Sequence, residues 1–215
     1  METARIAQEK TAELLAPFVG ELPREQLQQI SKYIDILLKW NEKTNLTAVR
    51  DPEQIVLRHF GEAFFAARAL LQPDSALDVI DVGSGAGFPG LPLKLFAPRV
   101  RLTLVEAQEK KATFLREVVR ALAFGSVKVL ATRAETLTVQ ADLVTLRAVE
   151  RFDAVLPVAG RLVKPGGRLA LLIGTGEIGS AHQLPEFQWQ EPVKVPQSRN
   201  RVLLVGNHPE QESTR

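Results

Sequence analysis

The run Val79-Ile80-Asp81-Val82-Gly83-Ser84-Gly85-Ala86-Gly87-Phe88-Pro89-Gly90 decides the fold. An apolar stretch leads straight into four glycines, and a helix is predicted to start near Pro89. Glycines permit a tight turn and let a ligand press against backbone N–H groups at a helix N-terminus. In an open α/β sheet the carboxyl end of such a strand is where ligands collect.

Outward from this loop, short apolar runs alternate with helical stretches. Strands are predicted over 77–82, 101–105, 127–130, 142–146 and 168–173, with a late pair near 187–195 and 201–205. Helices are predicted over 88–96, 108–123 and 151–162. Strands apolar on both faces and separated by helices imply a parallel sheet covered on both sides. The last two strands have only a turn-like segment, 196–200, between them, so an antiparallel hairpin should end the sheet. Upstream the period is helical: Leu27, Ile30, Ile34, Leu37 and Leu38 recur on one face, with Trp40 close behind. Asp51-Pro52-Glu53-Gln54 reads as a helix start, with Asp51 as N-cap, Pro52 first and Gln54 able to reach back. That helix should run through Val56, Phe60, Phe64 and Ala67 to the break at Gln72-Pro73. The expected fold is α/β: a Rossmann-like, mostly parallel open sheet over 73–215 with a helical extension, 1–72, packed on it as one compact unit.

Composition narrows the chemistry. The chain has 215 residues, 45% apolar and 24% charged, ordinary values with ample material for a core. Cysteine is absent, which excludes disulfide scaffolds, thiolate nucleophiles and Cys-ligated metals. His59, His182 and His208 are not helix neighbours, so no histidine metal site is expected. The first ten residues contain no apolar signal core, and no uncharged run reaches the roughly 20 residues a bilayer span needs. A cytoplasmic, soluble monomer is the expectation. Net charge is only +2, but residues 99–168 hold 13 basic and 7 acidic side chains. That local excess suits a phosphate-bearing partner and equally a solvated helix surface.

Two ligands compete for the glycine loop. Gly85-x-Gly87-x-x-Gly90 formally matches a dinucleotide fingerprint, but Gly83-Ser84 intervene between strand and first glycine. Asp81 at the strand end would repel a pyrophosphate, whereas it suits the ammonium and sulfonium of S-adenosylmethionine. The frame Asp81-x-Gly83-x-Gly85-x-Gly87 resembles the first motif of the Rossmann-like, class I methyltransferases. The next strand, Leu102-Thr103-Leu104-Val105-Glu106, ends in an acid 19 residues beyond Gly87, the spacing at which a carboxylate grips ribose hydroxyls in either cofactor. The contacts expected here are Asp81, Gly83, Ser84, Gly85, Gly87, Glu106 and Ala107. The resemblance to methyltransferases implies that the loop after the third strand packs along the adenine, with contacts from Ala134 and Glu135.

Taken together, the segments resemble one family closely, the 16S ribosomal RNA methyltransferase G family, or glucose-inhibited division protein B. The resemblance covers nearly the whole chain. It rests on the run from Leu38 through Trp40, Asn41, Asn45 and Leu46 to Thr47, on Arg58-His59-Phe60, on the loop ending Phe88-Pro89-Gly90, on Ala131-Thr132-Arg133-Ala134-Glu135 and on Leu146-Arg147-Ala148. It implies methylation of guanine N7 in the 530 loop of 16S rRNA, naked or in a small-subunit particle, with no metal or membrane. It places the cofactor at Gly83, Phe88, Ala134, Glu135 and Arg147, with Glu106 near the ribose. It gives RNA-facing or active-site roles to Asn41, Asn45, His59, Lys110, Lys111, Arg133, Arg147 and Arg201. Guanine N7 attacks without losing a proton, so no general base is required. Glu62 is expected beside the cationic product base, while Arg133 and Arg147 hold phosphate or the guanine, which Phe88 is placed to flank. Arg147, ending a buried strand, implies an anionic partner: the cofactor carboxylate, an RNA phosphate or Glu62. The chain departs from the family in having Gly61-Glu62-Ala63 where Asp-Ser is usual, and Ile173 where Lys is usual.

Overall fold

The computed structural model describes residues 6–210. The first third is helical: α1 (Gln8–Val19), α2 (Arg24–Asn41), α3 (Pro52–Ile55), a π-helical turn (Val56–Gly61) and α4 (Glu62–Leu70). The Asp51 carboxylate accepts from Gln54 N–H at 2.9 Å, capping α3 as its sequence requires. The single helix expected from Pro52 onward is instead interrupted by the π turn. Gly61 lies there against the Phe18 ring of α1, where a Cβ would come within 2.8 Å of the ring. Such turns insert one residue and are frequent at functional sites.

The remainder alternates as expected: β1 (Asp78–Val82), α5 (Gly90–Phe96), β2 (Arg101–Val105), α6 (Glu109–Ala121), β3 (Val127–Leu130), β4 (Ala141–Arg147), α7 (Phe152–Arg161), β5 (Val163–Gly174), α8 (Ile178–Ala181), β6 (Gln188–Trp189), β7 (Val193–Lys194) and β8 (Arg201–Asn207). The sheet runs β3-β2-β1-β4-β5-β8-β6, and β7 pairs with β8. The first five strands are parallel, and β8 enters antiparallel between β5 and β6. The expected hairpin is present as β7–β8, but the long strand over 187–195 is not. Gln190-Glu191-Pro192 separates β6 from β7, and proline removes a ladder donor.

Alternate residues of the strands face two apolar layers. Val79, Leu102, Leu104, Leu143 and Leu172 join Tyr33, Phe60, Phe64 and Phe114 on one side. Ile80, Val82, Val144 and Leu146 pack with Leu156, Leu162 and Phe187 on the other. The N-terminal helices therefore complete one face of the sheet, and their ends meet the carboxyl edge of β1 and β4. Among the described residues no helix is long and apolar enough to cross a membrane.

Candidate functional site

A cavity of about 600 Å³ opens at the carboxyl ends of β1, β2 and β4. One wall is the glycine loop, where Gly83, Gly85 and Gly87 all adopt the left-handed backbone (φ +66, +55 and +86). Gly85 donates its N–H to Glu106 Oε2 at 2.9 Å, and Glu106 Oε1 accepts from Gln108 N–H at 2.8 Å. Glu106 thereby braces the loop and the start of α6 while bordering the cavity. Gly83, Ser84, Gly85, Phe88, Glu106 and Ala107 all line it, as do Ala134 and Glu135 from the turn after β3.

Two of the loop residues expected to contact a ligand do not line the cavity. Asp81 is fully buried beneath the loop, off the cavity wall; its carboxylate accepts from the Thr145 hydroxyl at 2.7 Å and from Gly90 N–H at 3.3 Å. Burial outweighs these bonds and pushes its pKa up to about 6. Gly87 is off the lining as well, and a Cβ there would meet the Tyr33 hydroxyl, Leu91 and Leu115. Its neighbour Ala86 gives its carbonyl to that same hydroxyl, and the Tyr33 ring stacks on Phe88 with centroids 5.4 Å apart. Helix α2 thus grips the loop from behind. Tyr33 sits among Ile30, Ile34 and Leu37 on the apolar face of α2, so its sequence position signals core alone.

The other wall is built from side chains far apart in sequence. Arg147, at the end of β4, donates to Glu62 Oε2 from Nη2 at 2.9 Å and Nε at 3.2 Å, and to Arg58 carbonyl at 2.8 Å. Both Arg147 and Glu62 side chains are only 11% exposed, so the pair is desolvated and costly to break. Burial lowers the guanidinium pKa and Glu62 pulls it back up. Of the three anionic partners open to Arg147, Glu62 is the one in contact. Arg201 on β8 lies 3.7 Å from the same Glu62 oxygen and donates to Leu172 carbonyl. His59 lies between Arg147 Nη2, 3.2 Å from Nδ1, and Thr47 Oγ1, 2.7 Å from Nε2. Burial, with the Arg147 charge beside it, lowers the His59 pKa to about 3, so the ring is neutral at physiological pH.

His59, Arg147 and Ala148 border a second cavity as well, which also takes in Arg58, Glu62, Arg199 and Arg201. Glu62 belongs to this second cavity and not to the first. Phe88 borders the first, but Tyr33, Phe60 and His59 surround its ring and leave 5% of it exposed.

The residues expected to face RNA divide. Arg133 and Lys111 border the first cavity, whereas Lys110 is an exposed side chain of α6 outside it. Asn45 is exposed and sits 3.5 Å from Arg50 Nη2. Asn41 is a correction: it is 3% exposed, accepts from Leu46 and Thr47 N–H and donates to Thr47 carbonyl. Its side-chain oxygen and amide both bond the loop that presents Thr47, and its carbonyl accepts from Arg50 Nη1 at 3.1 Å. Thr47, Arg58 and Arg199 border the cavities although sequence reasoning assigns them no role. Thr47 ends the same segment that carries Asn41 and Asn45, which is the one signal that points to it.

Residues 26–202 match the family model described as rRNA small subunit methyltransferase G. The chain is 43% identical over 198 residues to the ribosomal RNA small subunit methyltransferase G of Roseiflexus sp., covering 86% of this chain and 84% of that protein. It is 38% identical over 198 residues to the protein of the same name from Chloroflexus aggregans, covering 86% and 82%. Among solved structures, it resembles a SAM dependent methyltransferase from Aquifex aeolicus, with TM-score 0.58, 18% identity and coverage of 74% and 94%. A ribosomal protein L11 methylase from Lactobacillus delbrueckii subsp. bulgaricus gives TM-score 0.58, 17% identity and coverage of 72% and 80%. At such identities the structures speak for the fold, which is the class I methyltransferase fold. The family match decides between the two ligands that the glycine loop left open, in favour of a methyltransferase.

Proposed function

The chain belongs to the rRNA small subunit methyltransferase G family, and on that premise we propose that it transfers a methyl group from S-adenosylmethionine to N7 of a guanine in the 530 loop of 16S rRNA. One observation carries the reading. The glycine-loop cavity meets, at His59, Arg147 and Ala148, a second cavity lined by Arg58, Arg199 and Arg201. The first has the size and walls of a nucleoside site; the second has the guanidinium groups that a nucleic-acid backbone requires.

The residues present fit the cofactor. A Cβ on Gly85 would meet nothing nearer than Gly83 carbonyl at 3.8 Å, so the loop keeps an open cradle there. Glu106 has carboxylate lone pairs beyond the two it gives to Gly85 and Gln108, sufficient for ribose hydroxyls. Ala134 and Glu135 would border the adenine, and Gly83, Ser84 and Ala107 the remainder. Asp81 acts through the loop, holding Gly90 and Thr145, and touches no ligand itself. The cofactor supplies a sulfonium methyl for direct transfer.

The protein then has three tasks: to align the nucleophile, exclude water and tolerate the cation that forms. Guanine N7 is an unprotonated sp² nitrogen, so attack in line with the methyl needs no base. The corner around Arg147 agrees with this, since His59 is neutral with both ring nitrogens engaged and Glu62 is held by two arginines. Glu62 offsets the positive charge that develops on the product base; Arg201, Arg58 and Arg199 hold backbone phosphates. Lys111 and Arg133 extend the basic rim. The helices of 1–72 and the sheet domain of 73–215 work as one unit, because each site wall draws on both.

The test is to incubate the protein with 16S rRNA and with small-subunit particles and S-adenosylmethionine, then map 7-methylguanosine by mass spectrometry of nuclease fragments. Modification of one guanine in the 530 loop is expected. A methyl group on another base or another atom overturns the assignment.

A further inference from the structure

Two polar atoms of the Arg147 corner are left without partners. Arg147 gives its Nε hydrogen to Glu62 Oε2, and the two on Nη2 go to the same oxygen and to Arg58 carbonyl. Nothing among the described residues accepts from Nη1. On the carboxylate, Arg147 and Arg201 both address Oε2, and Oε1 receives no hydrogen from them or from any other described residue. No buried side-chain nitrogen or oxygen lacks a partner among the described residues, so Nη1 and Oε1 are open to the cavities. Arg147 borders both cavities and Glu62 the second alone. The boundary between the cavities therefore carries an open donor, followed on the side of the second by an open acceptor. A guanidinium nitrogen only donates and a carboxylate oxygen only accepts, so the two polarities cannot be exchanged.

We propose that Arg147 Nη1 and Glu62 Oε1 together select guanine, the first donating to O6 and the second accepting from N1–H, while N7 faces the methyl group. The inference rests on the N7-guanine reading above and adds the groups that enforce it. N7, O6 and N1 follow one another around guanine in the order first cavity, Arg147, Glu62. Adenine presents the same unprotonated N7, so the nucleophile by itself cannot separate the two purines. At the next two positions adenine has an amino donor and an unprotonated nitrogen, the reverse of guanine. It would meet Nη1 hydrogen to hydrogen and Oε1 lone pair to lone pair. The engaged part of the guanidinium matters as much. An arginine reading guanine ordinarily spans O6 and N7 with two nitrogens, which would occupy the attacking lone pair. With Nε and Nη2 held by Glu62 and Arg58, one nitrogen remains for O6, and N7 stays free. The Glu62 charge already balances that of Arg147, so the open N–H groups suit a neutral carbonyl better than a phosphate.

The experiment uses the full-length protein and 16S rRNA assembled by splinted ligation, with guanine, hypoxanthine or 2-aminopurine at the target position. All three keep N7; hypoxanthine also keeps O6 and N1–H, and 2-aminopurine lacks both. Wild-type kcat/KM is expected to stay within about threefold on hypoxanthine and to fall about 100-fold or more on 2-aminopurine. In Glu62→Gln the amide oxygen has to face the guanidinium, which puts the NH2 group in the place of Oε1. That donor opposes guanine N1–H and suits the bare N1 of 2-aminopurine. The ratio of guanine to 2-aminopurine rates should therefore shrink by about tenfold or more. Any loss of stability or cofactor affinity is common to both RNAs and cancels in that ratio. A wild-type ratio near one, or an equal fall on hypoxanthine, overturns the proposal whether or not the variant folds. So does a folded Glu62→Gln that discriminates as wild type does. Absence of 7-methylguanosine from the wild-type product on guanine RNA would be seen separately and would overturn the underlying reading, and this inference with it.

Discussion

The two walls of the cavity are built on opposite principles. The glycine loop is one contiguous stretch whose polar groups are mainly backbone, held by Glu106 in front and Tyr33 behind. The Arg147 corner is built mainly from side chains: Thr47, the neighbouring His59 and Glu62, Arg147 and Arg201 come from four stretches of the chain, and the Arg58 and Leu172 carbonyls accept from the two arginines. A loop of that kind is sensitive to added volume. A corner of that kind is sensitive to lost charge. Predicted responses to substitution divide the same way.

The largest effect is expected at Gly87. Its φ of +86 strains any other residue, and a side chain would collide with Tyr33 and Leu91. Backbone strain and overpacking together should cost about 3–5 kcal/mol for Gly87→Val, read as a lower urea midpoint with m unchanged. A variant as stable as wild type would mean that α2 does not grip the loop.

On the other wall, Glu62→Ala leaves Arg147 buried with no carboxylate partner, which should cost about 2–3 kcal/mol in thermal unfolding. Arg147→Lys keeps the charge but loses the fork to Glu62 and Arg58, and should reduce turnover far more than cofactor affinity. Equal losses in the two would place Arg147 on the cofactor instead.

The walls also titrate in opposite directions. Asp81 has a folded pKa raised to about 6, so its protonated form favours the folded state and stability declines as pH rises through 4 to 6. His59 has a folded pKa lowered to about 3, so its contribution is complete above 6.5 and is lost as pH falls below that. Between pH 4 and 6 the two slopes, each about 1.4 kcal/mol per pH unit, offset one another. Asp81→Asn should uncover a loss of stability on acidification, and His59→Gln a gain, relative to a flatter wild type. Denaturation at pH 4, 5 and 6 checks this, and slopes identical in all three proteins would show that neither group is desolvated as described.

The smallest effect is expected from Tyr33→Phe, which keeps the stack on Phe88 and removes only the bond to Ala86 carbonyl. About 1 kcal/mol of stability and a few-fold of S-adenosylmethionine affinity should be lost. A larger loss of affinity than of stability would show that the hydroxyl sets the loop's shape.

The same line between local and long-range separates what the order of residues dictates from what folding adds. Strand, glycine turn and helix at 79–90 are specified by neighbours in the chain, so the α/β class, strands such as Arg101–Val105 and Val127–Leu130, and the cavity-lining Gly83, Gly85 and Glu106 are legible in the sequence alone. The segments around Asn41, His59 and Arg147 are legible as belonging to one family, but not in their roles. Whether Asn41 faces RNA or braces a loop, and which anion Arg147 meets, depends on how distant parts of the chain are brought together. The π turn at Val56–Gly61 arises from the packing of α1 against Gly61, and β8 lies between β5 and β6. Burial then sets the protonation of Asp81 and His59, because desolvation is a property of the folded surroundings. Identity and local geometry reside in the sequence; partnership and charge state are decided by what the fold places alongside.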